Sequence, residues 1–201
     1  MSKAGTLKQV AQTLHSCALP TRWGTFVLSG LRAEPGREDV ILTIGNVSDG
    51  APVLVRVHSE CLTGDVFGSR RCDCGEQLDL AMASLAREGR GALVYLRQEG
   101  RGIGLINKIR AYRLQEQGAD TLEANRMLGF ADDARTYDRA AVLLRAAGIA
   151  RIRLMTNNPA KISALIAEGI EVTERVPLAV APTSDSRSYL QTKRNRMGHL
   201  F

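Results

Sequence analysis

The stretch "CLTGDVFGSRRCDC" carries three of the chain's four cysteines. Ten residues separate Cys61 from Cys72, and one separates Cys72 from Cys74. Thiolates are soft, strongly donating ligands, and a cluster of three suits tetrahedral zinc. Four protein ligands make a closed, structural site; three leave a corner for water and make a catalytic one. His58, three residues before Cys61, could supply a fourth ligand, so spacing alone leaves both open. If the site is catalytic, three thiolates around Zn²⁺ leave a formal charge of about −1, so the ion acidifies water less than a three-histidine site and needs a neighbouring acid or base. Nucleobase deaminases use Cys-ligated zinc with such a helper to add water to an electron-poor ring carbon. Cys17 lies far away in sequence and reads as a small buried hydrophobe.

Two further segments could face an anion. In "YLRQEGRGIGLINKIR", Gly100, Gly102 and Gly104 allow close backbone approach and Arg101 adds a two-pronged donor. The pattern is neither GxGxxG nor GxxxxGK[ST], so it licenses neither a dinucleotide fold nor a P-loop, and a plain strand-to-helix turn fits it equally. In "LMTNNPAK", Asn158 can cap a helix that Pro159 opens. Lys161 then falls in the first turn, where a cation opposes the helix dipole unless an anion joins it. "DDARTY" is expected to open another helix, where Asp132 and Asp133 suit the first turn for dipole reasons alone. Tyr112, on a helical face with Leu105 and Ile109, reads as a core tyrosine.

These residues need elements to hold them. "GTFVLSGL", "DVILTIGNV" and "PVLVRVH" read as strands of a largely antiparallel first half. Leu78, Met82 and Leu85 recur at helical spacing, "ALVYLR" follows as a buried strand, and Leu105 starts the next helix. "DDARTYDRAAVLLRAAG" is expected as a helix stopped by Gly148, then "RIRLMT" as strand, "PAKISALIAEG" as helix and "IEVTERV" as strand. The fold class is therefore α/β (α+β): one compact domain over 1–201, its mixed sheet antiparallel in the first half, with strand and helix alternating in the second. The basic stretch 183–201 is expected to be a mobile tail.

The formal net charge of +6 is mostly arginine, which suits phosphate oxygens. Aromatic residues form only 4% of the chain, too few for stacking platforms along a nucleic acid, so a small polyanion is expected rather than a polynucleotide. Apolar runs are short and charge-interrupted, so no membrane span or export is expected and the cytoplasm is the expected compartment. Thiols stay reduced there, which favours a metal or catalytic reading of the cysteines over disulfides.

Taken in order, "RVHSECLTGD", "RCDCGEQL", "YLRQEGRGIGL", "NKIRAY", "DTLEAN", "LGFADDARTY", "LMTNNPAKI" and "ERVPL" resemble GTP cyclohydrolase II, from about Leu19 to Gly198. That family makes the first committed step of riboflavin biosynthesis, opening the guanine of GTP with zinc and releasing formate and pyrophosphate. The resemblance implies that Cys61, Cys72 and Cys74 hold catalytic zinc with water in the fourth position. It places Arg56, Val57, His58, Ser59, Glu60, Gln77, Glu99, Gly100, Arg101, Thr121, Thr156 and Lys161 along the GTP site. By the same likeness Asp133 is the proton acceptor, Arg135 a nucleophile toward the α-phosphate and Tyr112 the active-site tyrosine. Mg²⁺ with the triphosphate and a homodimer are implied as well. A guanidinium with pKa above about 12 is an awkward nucleophile, and an electrostatic clamp is the alternative role for Arg135. Either way Asp133 can reach Arg135, two residues on, only at a helix start or in a turn.

Overall fold

The computed structural model describes residues 14–31 and 38–181, together with 185, 186, 191, 194, 195, 198 and 200. Its strands are β1 (Leu14–Thr21), β2 (Gly24–Leu31), β3 (Val40–Ile44), β4 (Val53–Ser59), β5 (Gly91–Leu96), β6 (Arg151–Met155) and β7 (Glu171–Val176). Between them run α1 (Leu62–Asp65), α2 (Cys74–Glu88), a 3₁₀ turn (Glu99–Gly102), α3 (Leu105–Glu116), α4 (Thr121–Met127), α5 (Asp138–Ala146) and α6 (Pro159–Ala167). The seven strands form one mixed sheet in the order β1-β2-β3-β5-β4-β6-β7.

The expected division of the sheet is present. β1, β2, β3 and β5 pair antiparallel, and β5, β4, β6 and β7 pair parallel. β4 belongs to the parallel block, because α1 and α2 carry the chain across the sheet before β5 returns beside it. Its burial explains the placement: six of its seven residues are fully covered, as befits a strand with helices over both faces. Val53, Val55 and Val57 pack with Ala140, Leu143, Leu144 and Leu165 of α5 and α6. Leu54 points the other way, to Met82 and Leu85 of α2. Two-residue alternation puts Arg56 and His58 on that same second face, beyond Leu54 toward the carboxyl end of β4. Ligands in open α/β sheets bind outside that edge.

Three expectations need correction besides the pairing of β4. Cys17 is exposed, because β1 is the outer strand of the sheet and most of its residues lack a covering layer. The helix expected from Asp132 starts at Asp138. Residues 131–137 form a loop instead, its Ala134 N–H bonded to the carbonyl of Arg101 at 3.1 Å. Asp132 therefore caps nothing and pairs with Arg126 at 2.8 and 2.6 Å. On α3 the inward face runs through Lys108 and Ala111, while Ile109 is 51% exposed, so Leu105, Ile109 and Tyr112 do not make a core stripe. By contrast Gly148 does stop α5, at φ 77°. Most of the basic stretch 183–201 lies outside the described residues. Among those residues no helix is long and apolar enough to cross a membrane.

Candidate active site

The connection leaving β4, together with the start of α2, brings the cysteines together. Cys61 precedes α1, Cys74 is the first residue of α2, and Cys72 lies two residues before it. The Sγ atoms of Cys61 and Cys72 are 3.6 Å apart, and all three sulfurs lie within 4.8 Å of one another. Zn–S bonds of about 2.3 Å in a tetrahedron place sulfurs about 3.8 Å apart, so the donor set and its spacing fit zinc. The amino terminus of the 15-residue α2 adds its positive dipole end beside Cys74, which favours thiolates. Cys61 is driven toward the thiolate by its sulfur contacts with Cys72 and Cys74, and Lys108 adds to the effect. Cys72 is pushed up instead, by its contact with the Cys61 sulfur and by burial. Gly64 and Gly75 make the close packing possible: a Cβ on Gly64 would lie 3.2 Å from the sulfurs of both Cys61 and Cys72, and one on Gly75 would lie 2.4 Å from the Gly64 carbonyl oxygen.

His58 does not join the sulfurs. Its Nε2 lies 3.1 Å from both carboxylate oxygens of Asp65, and Cys61, Cys72 and Cys74 are the one metal-capable group of three or more among the described residues. Burial lowers the His58 pKa despite the opposing bond to Asp65, so the ring is neutral. The Nε2–H then donates to Asp65, and the buried Nδ1 has no hydrogen-bond partner. Asp65 also accepts from the Cys61 N–H at 3.0 Å and from Tyr95 Oη at 2.8 Å. This buried carboxylate fixes the cysteine loop from beneath.

On the other side of the sulfurs, Lys108 Nζ donates to Cys61 Sγ at 3.0 Å and to Glu99 Oε1 at 2.8 Å. Glu99 also accepts from the Gly100 and Leu62 N–H groups, each at 2.6 Å, which ties the 3₁₀ turn to α1. Gly100, Arg101 and Gly102 all have positive φ, with Arg101 at 61° the one non-glycine among the described residues to do so. Such strain in a side-chain-bearing residue persists where its surroundings over-determine it. Here the loop at Ala134 packs against Gly102, where a Cβ would come within 3.1 Å of the Ala134 carbonyl oxygen. Tyr112 lies under the guanidinium of Arg71, 4.9 Å from the ring centroid, with its hydroxyl 3.5 Å from Thr63 Oγ1. Burial raises its pKa, so it stays a phenol.

A second polar group lines the carboxyl ends of β4 and β6. Arg56 donates to the Met155 carbonyl at 3.0 Å and to Gln77 Oε1 at 2.7 Å; burial draws its pKa down to about 10, which leaves it charged at neutral pH. Lys161 donates to the Val57 carbonyl at 2.7 Å and lies over the Tyr137 ring at 5.4 Å. The helix start expected at "NNPAK" is present, with Asn158 Oδ1 accepting from the Ala160 N–H at 3.0 Å and Pro159 opening α6. Thr156 is buried, its hydroxyl accepting from the Asn158 N–H. Asp133 and Arg135 meet in a turn rather than a helix: Oδ1 accepts from the Arg135 backbone N–H at 3.1 Å and from Nε at 2.9 Å, and Oδ2 from Nη2 at 2.5 Å. Burial works to raise the Asp133 pKa, but the Arg135 fork outweighs it and holds the carboxyl below the usual range.

A cavity of about 710 Å³ opens beside the cysteines and the glycine turn. Of the residues expected at the site, Ser59, Glu60, Cys61, Cys72, Cys74, Glu99, Gly100, Arg101, Tyr112 and Arg135 line it. Arg56, Val57, His58, Gln77, Asp133, Thr156 and Lys161 are not on its wall, and the Val57 side chain belongs to the core. Thr121 opens α4, and its side chain lies outside the described residues. Sequence reasoning missed Asp65, Lys108 and Tyr137. Asp65 sits four residues after Cys61 inside the same quoted segment, and Lys108 is one helical turn before Tyr112, so both were within reach of a spacing argument. The Tyr137 hydroxyl is buried without a hydrogen-bond partner, which no spacing discloses.

The family model for GTP cyclohydrolase II matches residues 12–177. The protein named GTP cyclohydrolase-2 in Neisseria gonorrhoeae is 55% identical over 97% of this chain and 99% of its own length. The protein of that name in Hahella chejuensis is 59% identical over 92% of this chain and 90% of its own length. In Pseudomonas fluorescens the figures are 57%, 91% and 90%.

Proposed function

The chain belongs to the GTP cyclohydrolase II family, a family of hydrolases, and from that premise we propose that it opens the guanine imidazole ring of GTP in the first committed step of riboflavin biosynthesis. The products are formate, pyrophosphate and 2,5-diamino-6-(5-phosphoribosylamino)pyrimidin-4(3H)-one. One observation carries the reading: three thiols converge on the wall of a cavity of nucleotide size whose other walls present Arg101, Arg135 and Tyr112. Cys61, Cys72 and Cys74 would hold zinc, which when bound supplies a Lewis acid for adding water to a purine carbon.

The remaining roles belong to the chain itself. Tyr112, kept protonated by burial, donates its phenolic proton to the imidazole nitrogen as the ring opens. Ser59, Glu60, Glu99, Gly100 and Arg101 bind GTP from the cavity wall, Arg101 facing the triphosphate and Mg²⁺ neutralising the departing pyrophosphate, and Arg56, Val57, His58, Gln77, Thr121, Thr156 and Lys161 are assigned to the same site on the family likeness. Arg135 is the clamp on the α-phosphate. Asp133 is a weak base, already committed through both oxygens to the Arg135 guanidinium, and a carboxylate below its usual range cannot strip a proton from a group with pKa above about 12. Charge stabilisation needs no such transfer. The enzyme works in the cytoplasm, as a homodimer.

The test is the product. Protein incubated with GTP, Zn²⁺ and Mg²⁺ should bleach the guanine absorbance band and release formate, with the diaminopyrimidine mass in solution. A product that keeps the formyl group would mark an enzyme stopping after the first hydrolysis, and an unchanged band would reduce the protein to a binder of nucleotides.

A further inference from the structure

Lys108 is an unusual residue for the inward face of α3. It is only 9% exposed, in a position where Ala111 one turn on packs as core. Burying an ammonium is costly unless its donors are engaged, and two of its three have named partners: Cys61 Sγ at 3.0 Å and Glu99 Oε1 at 2.8 Å. Glu99 does not depend on Lys108 alone, because the Leu62 and Gly100 N–H groups each reach it at 2.6 Å. Lys108 thus donates directly to a sulfur of the cluster. The Tyr112 ring lies 5.8 Å from the same ammonium. One side chain thus touches the thiol triangle, the glycine turn and the face of the phenol.

A centre of three thiolates is electron-rich, and this blunts the Lewis acidity of whatever ion it holds. A hydrogen bond to a ligating sulfur draws charge off that ligand, and outer-shell donors tune metal sites by this means. We propose that Lys108 is a positioning residue of the metal centre, its N–H···S bond to Cys61 weakening one thiolate donor so that the bound ion acts near neutral pH. The inference rests on the zinc reading above and deepens it.

Cobalt in place of zinc separates the two. Wild-type protein loaded with Co²⁺ should show thiolate-to-cobalt charge-transfer absorption; if it shows none, the metal reading fails and the Lys108 inference falls with it. With that band present, Lys108→Met should move it to longer wavelength, because a thiolate without its donor gives up an electron more readily. The pH of half-maximal turnover should rise, and activity at neutral pH should fall about 10- to 100-fold, the range that loss of an outer-shell partner typically costs. Lys108→Arg, which keeps a donor and a charge, should restore all three at least in part. A merely structural ion pair with Glu99 would lower the melting temperature of Lys108→Met and leave band and pH profile unmoved, and that outcome overturns the proposal. Should Lys108→Met fail to fold, the same comparison runs between Glu99→Gln and Glu99→Gln with Lys108→Met, where the buried carboxylate is neutral.

Discussion

Gly64→Ala is the sharpest probe of the sulfur cluster, because it adds one methyl group and alters no ligand. Gly64 has no positive φ, so alanine meets no backbone strain there. Its new Cβ would lie 3.2 Å from Cys61 Sγ, 3.2 Å from Cys72 Sγ and 3.1 Å from Cys74 Cβ. Non-bonded carbon contacts are best at about 3.5–4.0 Å and sulfur is larger, so both sulfurs must retreat by about half an ångström. That is the tolerance within which a functional constellation has to be held. Zinc affinity should fall about 10- to 100-fold, the usual size of a disturbance next to a ligand shell. At 1.4 kcal/mol per decade this is about 1.4–2.8 kcal/mol. The apo protein should lose about 1–3 kcal/mol to overpacking, roughly 2–12 °C of melting temperature for a chain of this size. Gly75→Ala differs in kind: its Cβ would come within 2.4 Å of the Gly64 carbonyl oxygen, backbone against side chain with no flexible group to yield, so α2 must shift as a body. It should cost the apo protein more. Competition against a chromophoric chelator reads the first quantity and thermal melting of metal-free protein the second. Wild-type zinc affinity in Gly64→Ala would refute the claim that these three sulfurs share one ion.

Three more outcomes follow from the same geometry. Tyr112→Phe keeps the ring under Arg71 but removes the proton, so kcat should drop about 10²–10⁴-fold with KM little changed; a pure KM effect would make the tyrosine a binding residue. Rapid quench with α-labelled GTP should find no guanylyl group on the protein at any point in a turnover, whereas a covalent species on Arg135 would overturn the clamp. His58 is held neutral by burial, its pKa below the ordinary 6.5, so the unfolded chain takes up its proton first. This contribution is fully present above pH 6.5 or so and is lost as pH falls toward the lowered native value. His58→Asn should be less stable at neutral pH yet lose less on acidification between about pH 6.5 and 5, as read by urea melts; parallel pH slopes for the two proteins would exclude His58 as the source.

How much of the site could be read in advance depended on whether its parts are close in sequence. Cys61, Cys72 and Cys74 lie on one excursion between β4 and α2, so their spacing disclosed the cluster. The cap at Asn158 and Pro159 is likewise a property of adjacent residues, and α6 starts where expected. The antiparallel and parallel halves followed from element order, but β4 changed sides because its crossover through α1 and α2 decides its partner, and nothing inside "PVLVRVH" states where β5 will return. The same strand shows why Arg56 and His58 read as part of one motif yet serve different places. They share a face by alternation, but Arg56 reaches Gln77 on α2 while His58 reaches Asp65 on α1.

The errors share a physical cause. An expected helix at Asp132 scored its charges by dipole, but the loop's packing against Gly102 and the bond from Ala134 to Arg101 outweigh a few tenths of a kcal/mol of dipole energy. On α3, hydrophobicity pointed the Ile109 face inward, whereas the buried face is the one carrying Lys108, because Cys61 Sγ and the Glu99 carboxylate accept its hydrogen bonds there. Periodicity ranks faces by apolar content and so misplaces a helix whose inward face is chosen by charge. That inversion is itself informative: a lysine buried where pattern calls for an apolar side chain must be answered by an anion, and in this chain the answering groups are Glu99 and one of the three sulfurs.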